Sequence, residues 1–142
     1  MTTTDAADWL RMRRALWPDD SDSHVREIDR FLAGHRHEPL EALIAVDDSG
    51  SAVGFAELSI RNIAEDCTTD RVAYLEGWYV EPHLRRQGVG AALVGAAEAW
   101  ARAQGCTEFG SDTTIDNEAS AAAHRALGFA ETARLRTFLK RL

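Results

Sequence analysis

The chain has 142 residues, 45% of them hydrophobic and 27% charged, with 16 Lys and Arg against 23 Asp and Glu and a net charge of −7. That is the size and balance of one globular domain spanning 1–142; it excludes disorder as a default, a membrane-spanning helix, which needs roughly 18 or more apolar residues in a row, and a disulfide or zinc scaffold, because Cys67 and Cys106 stand alone. The negative field disfavours nucleic acid and anionic membrane as partners and favours cationic, amine-bearing ones.

Met1 to Asp5 carries neither a basic nor an apolar stretch, so no secretory signal is expected and the two thiols fit a reducing cytoplasm. Asp5 to Trp17 predicts a first helix, with Trp9, Leu10, Ala15 and Leu16 on its apolar side and Pro18 to stop it. Val25, Ile28, Phe31 and Leu32 recur at helical spacing and Gly34 ends that second helix. Leu40 to Val46 predicts a strand, Asp47 to Gly50 a hairpin turn, and Ala52 to Asn62 the return strand. A polar loop from Ile63 to Asp70 leads into a strand over Ala73 to Val80, whose interior Gly77 signals a bulge or a close approach by another backbone. Gly88 to Gln104 predicts the longest helix, Thr107 to Asp112 a short strand, Glu118 to Leu127 an Ala-rich helix, and Glu131 to Leu139 a last strand or strand pair. The order, two helices, an antiparallel meander, then β-α-β crossovers, implies an α/β (α+β) fold with a mixed sheet and helices on both faces.

Chemistry concentrates where the third strand runs through Pro82 into Arg85-Arg86-Gln87-Gly88-Val89-Gly90-Ala91 and a helix opens. The backbone N–H groups of Gln87 to Ala91 point out of the helix start and, with the helix dipole and the charges of Arg85 and Arg86, form an anion cradle. A bare Gly-x-Gly before a helix also serves as a simple tight turn. It is not the dinucleotide fingerprint, because Leu93 stands at the third glycine position, and no Gly-Lys-Ser/Thr of a P-loop follows.

Arg85-Arg86-Gln87-Gly88-Val89-Gly90 resembles the (Arg/Gln)-x-x-Gly-x-(Gly/Ala) signature of the GNAT N-acetyltransferases. Asn117, His124 and Leu127-Gly128-Phe129 are similar to that family's later segment, with His124 where Tyr is usual. Leu16-Trp17-Pro18, Ser59-Ile60-Arg61, Leu75-Glu76-Gly77, Gly105 to Glu108 and Ser111-Asp112-Thr113 extend the likeness, over nearly the whole chain, to the dimeric aminoglycoside 6′-N-acetyltransferases. The resemblance implies a GNAT sheet of about six to seven strands. The first strand usual in the family is short or absent here, the loop from Arg61 to Asp70 lacks the usual aromatic, and Ala133 replaces a frequent acid.

The resemblance also implies acetyl-CoA as cosubstrate and no metal. Its pyrophosphate would sit on Arg85, Arg86 and the N–H groups of Gln87, Gly88, Val89, Gly90 and Ala91. Its pantetheine arm would pair with the backbone of Trp78, Tyr79 and Val80, and Asn117 would hold the arm from the other side. The N–H of Val80 would steady the developing oxyanion.

The acceptor amine must lose a proton before it attacks, which calls for a carboxylate. The candidates are Asp112, read as the base and also suited to a turn or cap, and Glu76, read as an anchor for a second amine and also suited to pairing with an arginine. His124 fits either protonation of the leaving thiolate or packing. Trp17, with Asp20 beside it, would flank the acceptor sugar, while Trp9 and Trp100 pack. The resembling enzymes pair, and Leu135, Phe138 and Leu139 offer apolar surface for a homodimer. The same motifs also suit a GNAT enzyme for another small amine or a protein N-terminus, or a weakly catalytic CoA-binding module.

Overall fold

Residues 3–18 and 21–142 are described by a computed structural model. Helices α1 (Thr3–Leu16) and α2 (Ser21–Leu32) come first, followed by strands β1 (Glu41–Val46), β2 (Ala52–Arg61) and β3 (Val72–Val80). After a single 3-10 turn at Pro82–Leu84 come α3 (Val89–Ala103), β4 (Phe109–Ser111) and α4 (Glu118–Ala126). Among the described residues no helix is long and apolar enough to cross a membrane.

The sheet runs β1-β2-β3-β4, antiparallel throughout except that β4 lies parallel to β3. From Ala52 to Ser59, β2 is buried without interruption, because it is central and covered on both faces. On one face Trp9 and Met12 of α1 and Ile28 and Phe31 of α2 pack on Ala42, Phe55 and Tyr79. Each large apolar side chain buried this way stabilises the fold by about 1.5–3 kcal/mol. On the other face Leu93, Val94 and Ala97 of α3 pack on Ala56, Leu58, Leu75 and Val80. The apolar stripe expected on α2 narrows to Ile28 and Phe31, since Val25 is 37% and Leu32 41% exposed.

One irregularity organises the molecule. Glu57 pairs with Gly77 but Leu58 pairs with Leu75, so Glu76 is an extra residue in β3, a β-bulge. Of the two expectations attached to Gly77 the bulge is met, whereas what approaches closely is a side chain and not a backbone: a Cβ there would come within 2.4 Å of the Trp17 ring.

The sheet has four strands among the described residues, not six to seven. The predicted strand over Glu131 to Leu139 forms no ladder, and its apolar residues are exposed, Phe138 at 93%. An extended segment becomes a strand only when a neighbour takes up its N–H and C=O groups. At the other end α1 is the first element among the described residues.

Candidate active site

β3 and β4 are paired only at Ala73–Phe109, Tyr74–Gly110 and Leu75–Ser111. Beyond Leu75 and Ser111 they part, and the gap opens towards the N-terminus of α3. The N–H of Glu81 donates to the carbonyl of Val53 on β2, at 2.9 Å. By the alternation of the ladder, the N–H of Val80 therefore points the other way, into the gap. The Val80 carbonyl accepts from Arg85 Nε at 2.9 Å, which ties the turn to the strand end. Trp78 and Val80 face α3, whereas the Tyr79 ring stacks on Phe55 on the opposite face and its hydroxyl donates to Glu81. Tyr79 thus offers the gap no side chain.

At the mouth, Gly88 is the N-cap of α3 with φ of +92°, and no side chain caps the helix. The first backbone acceptance inside α3 is Ala92 N–H to Gly88 O, so the N–H groups of Val89, Gly90 and Ala91 have no intrahelical partner. Gln87 donates from its side chain to the carbonyl of His83, and Arg86 adopts a left-handed φ of +65°. The two glycines differ. A Cβ on Gly88 would meet nothing within 4 Å, whereas one on Gly90 would come within 2.8 Å of Trp78. Gly88 supplies the turn's backbone conformation, and Gly90 makes room for an indole.

The floor of the gap carries His124. Its Nδ1 lies 2.7 Å from the carbonyl of Ser120 and its Nε2 2.8 Å from Ser111 Oγ. A carbonyl only accepts, so Nδ1 holds the hydrogen and, in the neutral ring, Nε2 accepts from Ser111. The ring packs edge-on against Trp78 and Phe129. Asn117 caps α4, its Oδ1 accepting from Ser120 N–H at 3.1 Å.

The opposite face of β3 borders a cleft of about 640 Å³ lined by Arg13, Trp17, Glu27, Glu38, Glu57, Arg61 and Glu76, among others. Arg61 Nε and Nη2 reach Glu76 Oε1 at 3.0 Å and Oε2 at 2.6 Å, and Ser59 Oγ donates to the same carboxylate. Arg61 Cζ sits 3.4 Å from the Tyr74 ring centroid, and the Tyr74 hydroxyl donates to Asp112 Oδ2 at 2.8 Å. Burial, then the hydrogen bond to Asp112, pushes the Tyr74 phenol well above its usual range, so it remains a neutral donor.

Deeper in the cleft, burial raises the Glu57 carboxyl to about 7, against the opposing pull of Arg13 and of Trp9 Nε1, which donates to Glu57 at 2.7 Å. Arg13 also donates to Glu27 at 2.6 Å and lies 5.3 Å from the Trp17 ring.

Of the residues expected from the sequence, Glu76 and Asp112 converge around Tyr74, and Trp17 lines the same cleft over Gly77. Asp20 lies outside the described residues. Tyr74, Arg13, Glu27 and Glu57 were missed as site residues, and Ser59 and Arg61 entered only through resemblance. The signal that finds three of them is Glu57-x-Ser59-x-Arg61, a polar period of two along an otherwise apolar strand.

The parted strands, the uncapped helix start and a second cleft across the same strand describe a two-substrate enzyme. The sequence pattern of the acetyltransferase (GNAT) family matches residues 6–129. The chain belongs to this family.

As a GNAT acyltransferase it takes acetyl-CoA as cosubstrate. Aminoglycoside N(6′)-acetyltransferase type 1 of Klebsiella aerogenes is 58% identical over 141 residues, covering 99% of this chain and 93% of the relative. The protein of the same description from Acinetobacter baumannii is 41% identical over 96% of this chain and 92% of its own length. Among solved structures, aminoglycoside N-acetyltransferase AAC(6′)-Iy in complex with a bisubstrate analogue, CoA-S-monomethyl-acetylneamine, superposes with a TM-score of 0.90 at 37% identity, covering 100% of this chain and 95% of that one. The GNAT fold expected from the sequence is thereby established, and its four-stranded sheet differs only in strand number.

Proposed function

We propose that this GNAT enzyme transfers the acetyl group of acetyl-CoA to the 6′-amine of aminoglycosides, by direct attack in a ternary complex, and so confers resistance to them. The observation that carries the reading is the adjoining of an acidic cleft, suited to a polycation, to the thioester gap across one strand, in a chain 58% identical to a 6′-N-acetyltransferase. The pyrophosphate binds Arg85, Arg86 and the N–H groups from Gln87 to Ala91. The pantetheine arm runs along Trp78, Tyr79 and Val80, with Asn117 and His124 bordering it.

Asp112 takes a proton from the bound ammonium. The freed nitrogen lone pair attacks the thioester carbon while Val80 N–H stabilises the oxyanion. A C–N bond forms, the C–S bond breaks, and the thiolate leaves as CoA thiol. The net reaction turns ammonium and acetyl-CoA into amide, CoA thiol and one released proton. Trp17 flanks the sugar, with Asp20 beside it, and Glu76 helps to hold the acceptor.

The enzyme works in the cytoplasm as a homodimer. A groove beside the edge of β4, of mixed polarity but with Phe109, Leu127 and Phe129 in its wall, and the exposed Leu135, Phe138 and Leu139 support pairing of two copies. Sedimentation at micromolar concentration is expected to give twice the chain mass.

A thiol-release assay with acetyl-CoA and kanamycin, neamine, spermidine and a peptide N-terminus tests the acceptor. Turnover confined to spermidine or the peptide would move the enzyme to another amine class. CoA binding without turnover of any amine would make it a binding module.

A further inference from the structure

We propose that Arg61 is a positioning residue for the transfer: clamped on Glu76 and on the Tyr74 ring, it neutralises Glu76, so that this carboxylate does not hold the acceptor amine as ammonium and Asp112 is left to receive the proton. This rests on the acetyl-transfer reading above.

Three contacts fix the guanidinium. Its Nε and Nη2 engage both oxygens of Glu76, the planar two-point geometry that a lysine cannot reproduce. Its face covers Tyr74 with Cζ 3.4 Å from the ring centroid. Ser59 adds a further donor to Glu76 Oε1. A carboxylate bound by two arginine nitrogens and a hydroxyl is a poor acceptor for a substrate proton.

Asp112 is placed differently. It is exposed, and Tyr74 steadies it through Oδ2. It lies within electrostatic reach of Arg61.

Other charged groups also face the cleft. Arg13 on α1 is itself shared between Glu57 on β2 and Glu27 on α2, and His37 and Glu38 line the cleft from the segment before β1. Further ammonium groups of a polycation find Glu27 and Glu38 on the cleft wall. Beside the reacting amine the Glu76 charge is balanced by the guanidinium, and without an opposite charge to favour it the protonated form is less stable.

The test is the pH profile of kcat for kanamycin, with both substrates saturating, in wild type, Arg61→Gln and Arg61→Lys. Arg61→Gln is expected to move the acidic limb up by about one pH unit, so that turnover falls roughly tenfold at pH 6 and by less than about twofold at pH 9. Arg61→Lys keeps the charge and is expected to keep the limb. A loss equal at all pH values would overturn the proposal, as would an unshifted kcat with a lower KM, which would make Arg61 a placeholder expelled by substrate.

A second measurement needs no turnover. The guanidinium 15N signals of Arg61, titrated with neamine, are expected to keep separate Nη resonances. Their collapse into one averaged signal would show the clamp released and sink the idea. Should the wild type acetylate no aminoglycoside, the acceptor assignment is what has failed, and the same 15N titration with spermine decides whether the clamp holds.

Discussion

The Tyr74 hydroxyl donates to Asp112 Oδ2 at 2.8 Å, joining the third strand to the residue that leaves the fourth. The same phenol lies under the Arg61 guanidinium, so one side chain links the proposed base to the fixed cation. Asp112→Asn keeps an acceptor for Tyr74 and removes only the charge. It is expected to lower kcat/KM for kanamycin by about 100-fold or more at neutral pH, with the deficit shrinking at higher pH as free amine becomes available. Near-wild-type turnover in Asp112→Asn, together with an inactive Glu76→Gln, would reverse the two roles.

Gly90 and Trp78 occupy one space, with only 2.8 Å between a Cβ on the glycine and the indole. Gly90→Ala is expected to destabilise the chain by about 1–3 kcal/mol through overpacking. Trp78→Leu in the same chain relieves the crowding and gives up no hydrogen bond, since Trp78 Nε1 is buried without a partner. Urea unfolding of the wild type, both single variants and the double variant measures the coupling, expected to be at least about 0.5 kcal/mol in the rescuing direction. Additive effects would mean that the contact carries no strain.

Glu57 makes stability depend on pH. Its carboxyl titrates near 4.5 when unfolded and at about 7 when folded, chiefly because of burial. Between these values the folded chain keeps a proton that the unfolded chain has released, so raising the pH favours unfolding. The contribution is complete below the unfolded value and is lost as pH rises through about 7. Its size is of order 3 kcal/mol. Denaturant titrations at pH 5 and pH 8 are expected to show a smaller fall for Glu57→Gln than for wild type. Equal falls would remove Glu57 as the source.

His124 spends both ring nitrogens on Ser120 and Ser111, and in the neutral ring it has no proton to give the thiolate. A positioned general acid contributes roughly 10²–10⁴-fold. His124→Gln is expected to lower kcat by less than about tenfold and to leave the alkaline side of the pH profile unchanged. A larger loss concentrated at high pH would restore the acid role.

Much of the fold is legible because its punctuation is chemical. Gly34, Gly105 and Gly128 all adopt positive φ where helices were expected to end, and Asp47 accepts from Ser49 and Ser51 in the predicted hairpin turn. The tail beyond Phe129 misleads because alternating apolar residues register a capacity for pairing and not the presence of a neighbour. The acceptor cleft was half visible. Glu76, Asp112 and Trp17 stand out as singular residues, whereas Glu57 and Tyr74 owe their importance to burial and to cross-strand partners that no local window contains.

The extra residue at Glu76 also shifts the odd and even numbering of everything after it. Upstream, Ala73 N–H donates to Glu108 on the side of the fourth strand; downstream, Glu81, also odd in number, donates to Val53 on the side of the second. The ladder has absorbed the insertion: odd- and even-numbered positions exchange sides, while the pairs before and after it stay in one alternation. Before it, Tyr74 turns to the acceptor cleft; after it, Trp78 and Val80 turn to the long helix, with the Val80 N–H free for the donor. Excising that single position would leave the pairs on either side in register, with Gly77 following Leu75 directly, so that Trp78 and Val80 keep their outlooks. What the deletion would take away is the carboxylate that holds Arg61 in the acceptor cleft, while the phosphate turn, the Val80 N–H and Asp112 stay as they are.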